Sequence, residues 1–345
     1  MEEKERDFWD ETYKRENKIA QKEFQAIYRA KEVKEPFDMV TIKEYTIKEG
    51  SNKQKIENLF NREIKLLEDL RSLNCPNFVN YSINRKVISE EREDNYYFIV
   101  REYCFSNLEE FIEMNDGKLE VGLIQLIMKQ LNNAFKILRE KKIIHRNIKP
   151  SNILICYKEN DYYDVKLSGL NYYINEGENT NILKDIPELT KLEFHPNEFN
   201  NPKEKYDLYS IGAIISFMYF GSLNNNNTSS IKDEKLKDLV EKCLKNENNR
   251  ISWNEYFNHP FFKESYAGYE DDDDNNKIKN YNKYVLIDEA YNKMETIRYL
   301  FEKRFREVVR IRRRDEKIKY FKEQKLEEFE KPIEDCQKKL KEYYQ

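Results

Sequence analysis

The hydrophobic period of this chain is mostly strand-like before residue 105 and mostly helical after it, and that shift restricts the folds open to it. Before it, apolar residues come mostly in short β-type runs, at 24–33, 39–47, 78–88 and 95–104, interrupted by one helical pattern at 54–73. After it they recur at helical spacing, at 108–114, 119–140 and 206–221, with one short strand at 164–170. Ser106 and Asn107 stand as caps before the first of these helices. Strands first and helices afterwards predict an α+β fold. The 345 residues suggest about two domains.

Apolar residues make up 39% of the chain, enough for a sizeable core, and charged residues 37%. The net charge of -4 excludes a globally basic nucleic-acid binder. No run of 18 apolar residues is present, so no membrane span is expected, and the charged N-terminus lacks the apolar stretch of a secretory signal. The five cysteines are scattered and form no CxxC. That spacing predicts neither a disulfide scaffold nor a zinc cluster and fits a reducing, cytoplasmic setting. His145, His195 and His259 do not converge in sequence, and His145 reads as a packed core histidine bonded to backbone.

The run His145-Arg146-Asn147-Ile148-Lys149-Pro150-Ser151-Asn152 closely resembles the catalytic loop H-R-D-x-K-x-x-N of eukaryotic protein kinases. Other fragments follow in that family's order. Residues 40–43 resemble the VAIK strand, with Lys43 as the phosphate-pairing lysine, and 61–67 resemble the regulatory helix, with Glu63 as its partner. Arg101, Glu102 and Cys104 fall on the hinge, and Leu154 follows the catalytic loop on the nucleotide side. Asp207 matches the buried anchor of the central helix, and 250–262 resemble the closing helices of serine/threonine kinases. The resemblance implies a bilobal fold over 19–264, with a small β-rich lobe at 19–103 and a larger helical lobe at 104–264. A charged helical arm at 1–18 precedes it, and an acidic linker at 265–280 leads to a helical tail at 281–345.

Against that pattern the chemistry is stripped. Ala20, Lys22 and Gln25 stand where the phosphate-cradling glycines belong, and each Cβ bars close backbone approach. Asn147 replaces the catalytic aspartate and has no carboxylate to accept a proton. Gly169 replaces the magnesium aspartate, with Leu170 and Asn171 after it, so no metal ligand is expected there. Lys43, Glu63, Lys149 and Asn152 persist as vestiges. Arg101 occupies the gatekeeper position; it either pairs with Glu63 and fills the pocket, or turns outward. Glu198 serves Arg250 with a one-residue register shift, or Arg250 lacks its usual partner.

The expected reading is a pseudokinase scaffold or regulatory module without enzymatic activity or cofactor. The alternative is an active atypical serine/threonine kinase, which alone would require ATP and magnesium. Other proteins are the expected partners, through the lobes and the 281–345 tail. Residues 303–325 carry eleven Lys/Arg against four Asp/Glu, suiting an acidic partner, an anionic membrane surface or RNA, or simply a solvated face. Leu326, Phe329, Ile333, Cys336, Leu340 and Tyr343 give a short coiled-coil-like seam interrupted by Pro332.

Overall fold

A computed structural model describes residues 7–21, 24–34, 38–48, 53–87, 94–158, 162–178, 194–198, 202–222, 228–266 and 278–279. The chain divides into two units, Met1–Lys279 and Asn280–Gln345. The second unit, with the basic run at 303–325 and the seam beyond it, lies outside the described residues, as do Lys22 and the acidic run at 270–276.

The first unit opens on an antiparallel sheet of five strands, in the order β1-β2-β3-β5-β4. They are β1 (Tyr13–Gln21), β2 (Gln25–Glu32), β3 (Met39–Lys48), β4 (Tyr81–Val87) and β5 (Asp94–Glu102). Helix α1 (Lys53–Arg71) lies between β3 and β4 in sequence and buries Ile56, Leu59, Phe60, Glu63, Leu66, Leu67 and Leu70. The expectation of a helical arm over 1–18 holds for a short π-helix at Asp7–Thr12 and is corrected from Tyr13 on, while residues 1–6 lie outside the described residues. Tyr13–Gln21 is an edge strand whose side chains are mostly exposed and charged, so no alternation of apolar residues marks it in the sequence. Ahead of it, Trp9 is buried edge-on against Tyr28 at 5.3 Å and Phe98 at 5.7 Å between ring centres. Arg15 covers that indole at 3.9 Å. The N-terminal sheet thus begins at Tyr13 rather than at residue 19.

The helical region follows β6 (Ser106–Asn107) and starts with α2 (Leu108–Met114) and α3 (Val121–Glu140). Asn107 is the N-cap of α2: its side chain accepts from Glu109 and Glu110, and Glu110 reaches back to the Asn107 N–H. The short strand β7 (Ile143–Ile144) leads into the loop that carries His145, and β8 (Ile153–Lys158) pairs with β9 (Tyr162–Leu167). After β10 (Ile174–Asn175) comes α4 (Tyr206–Phe220), buried along almost its whole length as a helix apolar on every side must be. Helices α5 (Glu234–Cys243) and α6 (Trp253–Phe257) follow.

The cysteine expectation is also corrected. Cys104 and Cys156 form a disulfide that ties the segment after β5 to β8. Their sequence separation of 52 gave no hint of it; β6–β8 pairing brings them together.

Candidate functional site

Strand register builds the wall of the cleft. On β3, Thr41, Lys43 and Tyr45 alternate onto one face, opposite Arg101, Ile99 and Tyr97 of β5 and Arg29, Ile27 and Gln25 of β2. α1 brings Glu63 to this face. Lys43 Nζ donates to Glu63 Oε2 at 2.7 Å, and the Tyr45 hydroxyl donates to the same oxygen. Burial raises the Glu63 pKa, but Lys43, the Tyr45 bond and the nearby Arg101 charge outweigh it, leaving the carboxyl below its usual range.

The expected Arg101–Glu63 ion pair does not form. Register explains why: Arg101 lies opposite Thr41, one side-chain repeat, about 7 Å, beyond the Lys43 pair that faces Glu63. Arg101 is nevertheless buried, and it neither turns outward nor plugs the site. A cleft of 590 Å³ remains open, lined by Arg101, Lys43, Cys104, Lys149, Leu154 and Asn171 among others. Asn147, Asn152 and Gly169 line it too. Glu63 and Glu102 do not: Glu63 sits behind Lys43, and the Glu102 carboxylate turns to Lys166 at 2.8 Å and the Asn80 N–H. Cys104 reaches the cleft only as half of the disulfide.

The floor comes from the loop after β7 and the turn after β9. Asp207 of α4 accepts the backbone N–H groups of His145 at 2.7 Å and Arg146 at 3.0 Å, which holds Arg146 at a φ of 61°. Burial lifts the Asp207 pKa to about 6 against those two bonds. His145 Nε2 lies 3.0 Å from the Ser168 carbonyl, and burial pushes its pKa down to about 4. It is the backbone-bonded core histidine that the sequence suggests. Arg250 pairs with Glu198, which settles that alternative in favour of the register shift.

Where the chemistry should sit, amides interlock. Asn147 Nδ2 donates to the Gly169 carbonyl at 3.1 Å, and Asn152 Nδ2 donates to the Asn147 carbonyl at 2.7 Å. Ser168 Oγ donates to the Asn152 carbonyl at 2.9 Å. Gly169 has a φ of 80°, and a Cβ added to it would lie 2.5 Å from Asn152 Nδ2. The room a side chain at 169 needs is therefore taken by Asn152. Among the described residues no group of three or more His, Cys, Asp or Glu is placed to hold a metal.

Sequence reasoning missed Tyr45, although its alternation with Lys43 on one strand face was a usable signal. It also missed what Gln25, Ser106 and Asn171 contribute to the cleft, since each was read only for the residue it replaced or the helix it preceded.

The family model described as protein kinase domain matches residues 13–262. Serine/threonine-protein kinase unc-51 of Caenorhabditis elegans is 26% identical over 72% of this chain and 31% of its own length. The putative serine/threonine-protein kinase R517/R518 of Acanthamoeba polyphaga mimivirus is 29% identical over 70% of this chain and 63% of its own. Serine/threonine-protein kinase atg1 of Dictyostelium discoideum is 26% identical over 68% and 37% respectively. This chain therefore spans between about a third and somewhat under two thirds of the length of these relatives.

Proposed function

The chain belongs to the protein kinase family, and from that premise we propose that it is a pseudokinase, a kinase fold used as a regulatory or scaffolding module. Phosphoryl transfer requires a phosphate cradle, a lysine, bound magnesium and a carboxylate beside the attacking hydroxyl. Of these, the lysine remains, held by Glu63.

The observation that carries the reading is the interlock of Asn147, Asn152 and Gly169. The family resemblance assigns magnesium to an aspartate at position 169 and the amide at 152, and the residues here do not fit it. Position 169 offers no oxygen ligand from its side chain, and its side-chain space is filled. Asn147 cannot take up a proton as a carboxylate does, and its amide N–H is already committed to the Gly169 carbonyl. Losing both together removes most of the charge stabilisation on which phosphoryl transfer depends.

The intact Lys43–Glu63 pair and the open cleft favour a second reading, an active kinase with an atypical site. Thermal-shift titration of magnesium in the presence of ATP separates the two. A pseudokinase shows no magnesium-dependent rise in Tm, whereas a working metal–nucleotide site shows a rise that grows with concentration. The partners fitting this role are proteins, engaged by the lobes or by residues 281–345. Truncation near residue 265 tests the tail's share: partner capture that survives truncation assigns binding to the lobes.

A further inference from the structure

The chain passes once from the five-stranded sheet to the helical region, through Tyr103, Cys104 and Phe105, which connect β5 to β6. This connector is tied at both ends and in the middle. At its start, the Glu102 carboxylate pairs at 2.8 Å with Lys166 of β9, an ammonium only 1% exposed. At its end, Ser106 pairs in register with Ile155 of β8. Between them, Cys104 is bonded to Cys156, also on β8. The rings beside the cysteine pack on different elements: Tyr103 under the Arg29 guanidinium of β2 at 5.1 Å, and Phe105 against Tyr163 of β9 at 5.6 Å. A short connector between two packed regions is where a turn of one on the other is absorbed. The disulfide removes that freedom at its central residue.

Access to the two sulfurs makes a second, independent observation. Cys156 is only 3% exposed. Cys104 is partly exposed and lines the open cleft. Thiol–disulfide exchange requires the incoming thiolate to reach the sulfur that it attacks. Cys104 offers a small thiol that approach, and burial of Cys156 denies it. A crosslink with one accessible sulfur is of the kind that exchange opens and closes in place, without unfolding the chain around it.

We propose that Cys104 is a site of reversible thiol exchange, and that its bond to Cys156 is a lock on the connector. Opening takes two steps. A low-molecular-weight thiol, as its thiolate, forms a bond to Cys104 Sγ. The Cys104–Cys156 bond breaks, and its electron pair leaves on Cys156 Sγ, which takes up a proton. A second thiolate then attacks the small-molecule sulfur of the mixed disulfide. Cys104 leaves as a thiolate and is protonated, and the two small thiols depart joined to each other. Two electrons have passed from the thiols to the protein bond, and the small disulfide closes the lock by the reverse steps. In both directions the small molecule is carried on Cys104. Opening frees the connector at 104 while the ties at 102 and 106 stay. The proposal does not depend on the pseudokinase reading, since it concerns a bond that phosphate transfer does not use.

The test places the full chain in glutathione buffers of graded reduced-to-oxidised ratio, traps thiols with N-ethylmaleimide and maps the peptides by mass. Glutathione is expected on Cys104, with Cys156 found either joined to Cys104 or as a free thiol. Cys75, a free thiol outside the pair, is the reference for simple accessibility. Hydrogen–deuterium exchange over the same series reads the lock: the amides of 103–105 are expected to exchange about tenfold faster once the bond opens, with α3 and α4 unchanged. A chain carrying both Cys104→Ser and Cys156→Ser is expected to exchange fast there at every ratio. The wild-type mapping needs no substitution, so it decides the matter where the double variant does not fold. Glutathione carried on Cys156, or equally on both, overturns the site. A bond that opens only when urea unfolds the chain, or two thiols that never join at any ratio, overturns the exchange. Opening that leaves 103–105 unchanged, or that speeds exchange throughout the sheet and helices, overturns the lock and leaves a plain structural crosslink.

Discussion

The wall and the floor of the cleft divide the kinase machinery between them, and they have fared differently. On the wall, Lys43 holds Glu63 at 2.7 Å in a buried pair. On the floor, the positions that the family resemblance assigns to the base and the metal ligand are Asn147 and Gly169, knitted to Asn152 by amide bonds. A few residues from that floor, His145 and Arg146 still hang from Asp207. The residues that remain are those whose partners are buried inside the fold, where loss would leave a charge or a donor unsatisfied. The residues that differ are those whose family role is toward substrate or metal, and such positions change at little cost to the fold.

If that contrast is right, mutations should sort by region. Asp207→Ala leaves two buried N–H groups without their acceptor and is expected to cost about 4 kcal/mol in urea unfolding. A loss below about 1 kcal/mol would break the contrast, because the anchor would then be dispensable. Replacing both Cys104 and Cys156 with serine opens a long loop and is expected to cost about 3 kcal/mol, with a matching loss when the wild type is unfolded under reductant. Equal stability with and without reductant would remove the disulfide from the scaffold.

Acid should weaken the scaffold by an intermediate amount. Burial depresses His145 to about 4 and His195 to about 3, both below the free value of 6.5. Their contribution is complete above pH 6.5 and drains as pH falls toward those values, because the unfolded chain takes up protons first. Asp207, raised from 3.8 to about 6, opposes this, since the folded chain protonates it first as pH falls through 6. Two groups against one leave a net loss of about 2 kcal/mol between pH 7 and pH 5, readable from urea midpoints at the two values. The smallest effect belongs to the floor. Asn147→Asp replaces the donor to the Gly169 carbonyl by an acceptor and is expected to cost about 1 kcal/mol without conferring phosphate transfer. Transfer gained by this single change would mean that the floor lacks only a base.

Much of the fold was legible because its signals are local. Period changes marked α1, α3 and α4, and Ser106 with Asn107 marked the start of α2. β1 was hidden because a charged edge strand has no buried face to alternate. The departures of Asn147 and Gly169 from the family pattern were readable from residue identity alone. What identity could not supply was cross-strand register: the placement of Arg101 opposite Thr41, beyond reach of Glu63, decided that the cleft stays open. The Cys104–Cys156 bond was invisible for the same reason, since it depends on a pairing between distant strands.

The most direct test is transfer itself. The full-length chain, incubated with γ-labelled ATP, magnesium and a generic protein substrate, is predicted to label neither itself nor the substrate above the background of Lys43→Ala. Labelling by the wild type that Lys43→Ala abolishes would contradict the account.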